Sequence, residues 1–170
     1  MTAAVRRGLD RTLEITLAIL MAGMVLNVLW QIATRFVLRD PSSVTEELAR
    51  FALVWLGILG AAYGFGQRVH LAVDVLGSWL AGRPDGALAA RRALDVVIHI
   101  CVAIFATSIL IVGGARLVGL TLRLDQTSAA LGIPLGFVYS VLPLSGAVIL
   151  LYTALDLLEL RSDPENLEKR

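Results

Sequence analysis

Asp95 and His99 stand one helical turn apart near the start of a long apolar run, the residue types and spacing that a proton relay inside a membrane would use. Asp95 also follows Arg91 by one turn, close to the expected headgroup level, and an ion pair at the membrane edge is the simpler account of it. His70 and Asp74 make a second such pair on a mixed segment. Two histidines and the lone Cys101 do not make paired haem ligands or a multi-cysteine metal site, so no metal or cofactor is expected, and Cys101 reads as a small buried apolar residue. The remaining charged cluster is Glu46, Glu47 and Arg50. Its carboxylates fall in the first turn of a helix, where the helix dipole favours them, and Glu46 can pair with Arg50. No close carboxylate dyad, nucleophile with a neighbouring base or phosphate-binding glycine loop occurs in the apolar runs, so an enzyme is not expected.

The elements that carry these groups are set by composition. Apolar residues fill 57% of the 170 positions and charged ones 17%, against about 25% charge in soluble domains. A soluble core of this length could not hide so much hydrocarbon; spans of ~20 residues in a bilayer can. The expected fold is a single all-α integral membrane domain over 1–170, with four transmembrane helices near 13–34, 46–66, 93–117 and 134–158 and an interfacial amphipathic helix near 69–81 between the second and third. A polar tail follows over 161–170. The apolar stretch after Arg6, Arg7 and Arg11 is longer than a signal-peptide core and lacks a small-x-small cleavage site, so it reads as an uncleaved span.

Within this frame, Asn27 and Gln31 share one face of the first span, which should point at protein. Ser43-Val44-Thr45-Glu46 fits a capping box, with Ser43 capping the second helix and Glu46 reaching back. Gly57, Gly60 and Gly64 give that helix small residues at three- and four-residue spacing, where a neighbouring helix can approach closely. Pro134 suits the first turn of the fourth helix, and Pro143 should interrupt its hydrogen-bond ladder. Basic residues are scattered among the polar stretches rather than gathered into a strip, which gives nucleic-acid binding no support. Ten of them fall on the side of the two termini and the middle loop and five on the other, so the positive-inside rule expects both termini in the cytoplasm.

Arg35-Phe36, then Glu46-Glu47-Leu48-Ala49-Arg50, Trp55, Gly60-Ala61 and His70-Leu71-Ala72-Val73-Asp74, in this order on two hydrophobic segments, resemble the small membrane subunit of tripartite ATP-independent periplasmic (TRAP) transporters. The match is best over the first half of the chain. The resemblance implies four membrane helices in a bacterial inner membrane and a partner-dependent role. A large membrane subunit would move sodium and an organic acid such as a dicarboxylate, a periplasmic solute-binding protein would deliver the acid, and the small subunit would brace the large one among membrane lipid. Under it, Arg35, Glu46, Glu47 and Arg50 are expected to orient the outer end of the second helix toward these partners, and His70 and Asp74 to orient the amphipathic helix at the inner interface. The competing reading is a stand-alone small proton-coupled exporter driven by Glu14. That carboxylate follows Arg11 by three residues, so a local ion pair at headgroup level explains it.

Overall fold

In lipid every backbone N–H and C=O must find a partner within the protein, which leaves the helix as the form open to apolar runs of this length. The computed structural model describes residues 2–38, 42–67 and 87–162, with side chains over 4–37, 42–67 and 96–158, and among these it is helical almost throughout. Helix α1 runs Thr2–Ala33 and continues as a π-helical turn over Thr34–Leu38, and α2 covers Ser43–Gly66. The third run is α3 (Ala87–Phe105), a π-helical stretch over Ala106–Gly113, and α4 (Gly114–Arg123). The fourth comprises α5 (Leu135–Tyr139) and α6 (Val141–Ser162). Four segments are long and apolar enough to cross a membrane: Ala4–Val37, Ser43–Gly66, Val96–Arg123 and Leu135–Leu158.

Local chemistry sets the boundaries. Helix α1 begins well before Leu13 because arginine is a good helix former and Arg6, Arg7 and Arg11 do not break it. The capping box is not formed. The cap position of α2 is Ser42, one residue earlier than expected, and its hydroxyl makes no capping bond. Thr45 Oγ1 donates to the Ser42 carbonyl at 2.9 Å, and Glu46 turns to Arg50 at 3.2 Å. With Ser43 already helical, its side chain no longer faces the free N–H groups of the first turn. Pro143 lacks the N–H that would bond the Tyr139 carbonyl, and the helix is interrupted just upstream at Ser140, whose Oγ donates to the Phe137 carbonyl at 2.6 Å.

The four runs pack antiparallel, with α6 at the centre. The fourth span is the most deeply buried of the four. Val141 and Tyr152 of α6 join Leu13 of α1 and Leu59 of α2 in one core cluster, and Ile149 joins Ala62 and Ala106 in another. Close approach is made by glycine. A Cβ on Gly146 would come within 2.8 Å of Ile111 Cγ1 and 2.9 Å of Leu110 Cβ, and one on Gly114 within 2.8 Å of Leu142 Cβ, so α6 lies directly against the π-helical stretch and the start of α4. Large apolar side chains such as Ile19, Leu26, Trp30 and Phe36 point outward, which costs little where the solvent is hydrocarbon.

Candidate functional site

Polar side chains gather at the two ends of the bundle. At the end where α1 begins and α6 finishes, α1 presents Arg6 and Asp10 on the same face as Leu13 and Leu17, an i, i+4, i+7, i+11 stripe. Helix α6 presents Ser145, Ile149, Tyr152 and Asp156 with the same spacing. Where the stripes meet, Arg6 Nη1 donates to Asp156 Oδ1 at 2.7 Å and Arg6 Nη2 to the Gly66 carbonyl at the end of α2. The guanidinium also sits 5.8 Å from the centre of the Tyr152 ring, and the Tyr152 hydroxyl donates to Asp10 Oδ1. His99 Nε2 of α3 lies 3.5 Å from the other Asp156 oxygen. Asp156 is 4% exposed, and a carboxylate so buried is tolerable only when paired and hydrogen-bonded. Arg6 and Asp156 thereby bring together residues of α1, α2, α3 and α6.

The opposite end is organised by Glu47. The connection between α4 and α5 folds on itself: Ser128 N–H bonds the Ile133 carbonyl at 2.9 Å, and Leu135 N–H bonds that of Gln126 at 2.9 Å. Gly132 takes φ +65 within it, a conformation that glycine adopts without strain. The loop so shaped turns a hydroxyl and two backbone N–H groups toward α2. Glu47 Oε2 accepts from Ser128 Oγ at 2.8 Å, Ala130 N at 2.8 Å and Leu131 N at 3.1 Å. Successive N–H groups of a turn form a natural anion cradle. Two further bonds tie this half together, Asn27 Nδ2 to the Thr45 carbonyl at 2.8 Å and Trp55 Nε1 to the Val138 carbonyl at 3.0 Å.

Other residues singled out in the sequence fall as follows. Glu46 and Arg50 pair with each other on an exposed surface, and Arg35 is exposed beside the Phe36 ring. The Gln31 amide nitrogen is buried with no hydrogen-bond partner. Gly57, Gly60 and Gly64 meet no other helix among the described residues, since a Cβ at each would find nothing within 4 Å. Glu14 stands 3.8 Å from Arg11. His99 turns to Asp156 of the fourth span, while the Asp95 side chain, like His70, Asp74 and the whole 69–81 segment, lies outside the described residues. Cys101 is exposed, not buried: α6 is met by the Val102, Ala106 and Leu110 face of the third run, and Cys101 is off it. Sequence reasoning missed Asp156, Tyr152, Asp10 and the pairing role of Arg6. The available signal was the two stripes, one opening and the other closing on charge.

An all-helical bundle with four candidate membrane spans is matched by the family model "Tripartite ATP-independent periplasmic transporters, DctQ component" over residues 24–163, most of the chain. The chain belongs to this DctQ family. Its small-permease relatives include a Haemophilus influenzae chain described as a TRAP transporter small permease protein, 27% identical over 83% of this chain and 82% of the relative. The sialic acid TRAP transporter small permease protein SiaQ of Vibrio cholerae is 27% identical over 80% and 79%. The C4-dicarboxylate TRAP transporter small permease protein DctQ of Rhodobacter capsulatus is 28% identical over 61% and 43%. As a DctQ-family chain it is a small permease subunit of a TRAP transporter, a multi-pass inner-membrane protein and not an enzyme.

Proposed function

We propose that this small permease subunit is a brace: it packs against the large membrane subunit, which moves sodium and an organic acid such as a dicarboxylate, and it helps seat the periplasmic solute-binding protein. The observation that carries the reading is the face of α2 around Gly57, Gly60 and Gly64, where among the described residues an added Cβ would meet nothing within 4 Å. In lipid, helices associate through close packing at small residues rather than through hydrophobic exclusion, so such a face suits a helix of a second polytopic chain. The polar interior of the bundle is meanwhile spent on itself, in the Arg6–Asp156 and Glu47–Ser128 clamps. Both termini lie in the cytoplasm in this reading, as the arginine distribution favours. The exposed Arg35, Glu46 and Arg50 then face the periplasmic side and orient it toward the partners, while Glu47 acts by shaping the loop beside them. His70 and Asp74 set the amphipathic segment at the inner interface.

Purification in detergent through a tag on this chain tests the brace. A much larger polytopic protein should co-purify, and solute uptake in reconstituted vesicles should need both chains. Uptake by the isolated polypeptide, or a purified chain without such a companion, would defeat the reading.

A further inference from the structure

Arg116 and Arg123 take no part in either clamp. They border one groove of about 550 Å³ on the outside of the third run, shared with Ile111, Ala115, Gly119 and Leu120. They stand seven positions apart, two helical turns, so they share a face and lie about 10 Å apart along the axis. Gly119 lies between them, and a Cβ there would meet nothing within 4 Å, so the floor of the groove is open. Both arginines are exposed, and among the described residues neither makes an ion pair or side-chain hydrogen bond; Asp125, the nearest carboxylate in sequence, is paired with neither.

The position of this pair is what gives it meaning. Arg123 closes the Val96–Arg123 span and Arg116 lies inside it. A guanidinium at that depth is costly unless it reaches the interface or finds an anion. Side chains on a helix lean toward its N-terminus, so Arg123 leans back over Gly119 toward Arg116. Toward the middle of the span the groove is apolar, lined by Ala115 and Ile111. A ligand that fits has a phosphate at one end and a hydrocarbon chain at the other, and guanidinium is the side chain best matched to phosphate.

We propose that this groove binds an acidic phospholipid, its phosphate held between Arg116 and Arg123 and an acyl chain laid along Ala115 and Ile111. Neither a free anion nor a soluble partner would use both halves of the groove.

Native mass spectrometry of the full chain in detergent, titrated with phosphatidylglycerol or phosphatidylcholine, tests the site. Wild type should retain one phosphatidylglycerol at least tenfold more tightly than phosphatidylcholine, and the double variant Arg116→Gln, Arg123→Gln should lose that preference. Both arginines are exposed, so the variant should melt like wild type; the Arg→Lys pair, which keeps charge but not the planar fork, should fall between. Equal retention of the two lipids by wild type, or an unchanged preference in the Gln variant, would overturn the proposal. Full displacement by millimolar inorganic phosphate would do so too, by reducing the groove to an anion site. A Gln variant that keeps its lipid but no longer co-purifies with a larger membrane protein would reassign the groove to a protein contact.

Discussion

The carboxylate of Asp156 takes a hydrogen bond from the guanidinium of Arg6 at 2.7 Å, joining residues 150 positions apart. The first and last helices are thereby pinned at one end of the bundle. Lipid is as apolar as leucine, so exclusion from solvent does not choose which helices meet or how they are rotated. A buried ion pair does, because any other arrangement leaves a charge unpaired.

Replacing Asp156 by alanine should therefore destabilise the bundle by about 3 kcal/mol, the usual cost of stranding one member of a buried pair. Replacing Arg6 and Asp156 together with leucine should cost much less. Thermal unfolding in detergent reads both; additive losses would show that the two side chains act independently.

Glu47 governs the loop between α4 and α5 through three hydrogen bonds to Ser128, Ala130 and Leu131. Glu47→Ala should speed amide hydrogen exchange at Ala130 and Leu131, and Glu47→Gln should do so less, since one acceptor oxygen remains. Glu46→Ala should leave both unchanged, because the Glu46 carboxylate pairs with Arg50 and faces outward, away from the loop. Glu47→Lys should also weaken assembly or uptake if the loop helps seat a partner.

The glycines divide into two groups with opposite consequences. Gly146→Ala places a Cβ 2.8 Å from Ile111 Cγ1 and 3.2 Å from the Ala106 carbonyl, and overpacking of this kind costs about 1–3 kcal/mol. Among the described residues a Cβ at Gly57 or Gly64 would meet nothing within 4 Å, and Gly57→Leu and Gly64→Leu extend a larger side chain from that open face. They should leave the melting temperature of the chain unchanged and abolish co-purification with the large subunit. Normal assembly of both leucine variants would place the partner on another face.

Trp55→Phe removes the indole N–H that bonds the Val138 carbonyl at 3.0 Å beside the interruption at Ser140. A loss of about 1 kcal/mol is expected, read by chemical denaturation in mixed micelles. An unchanged midpoint would show that the carbonyl is satisfied without the tryptophan.

The sequence by itself determined that this is an all-α membrane protein with four spans, since an apolar run of about twenty residues in lipid can satisfy its backbone only as a helix. The local pairs Glu46–Arg50 and Arg11–Glu14 were legible for a related reason: helical spacing alone makes them neighbours. Only the tertiary structure decided that Glu47, which reads as a first-turn carboxylate, would reach Ser128, that His99 would face Asp156 of another helix, and that Cys101 would lie on the outside. Spacing fixes which residues share a face of one helix. It does not fix the rotation of that helix against its neighbours, and every one of those outcomes depends on that rotation.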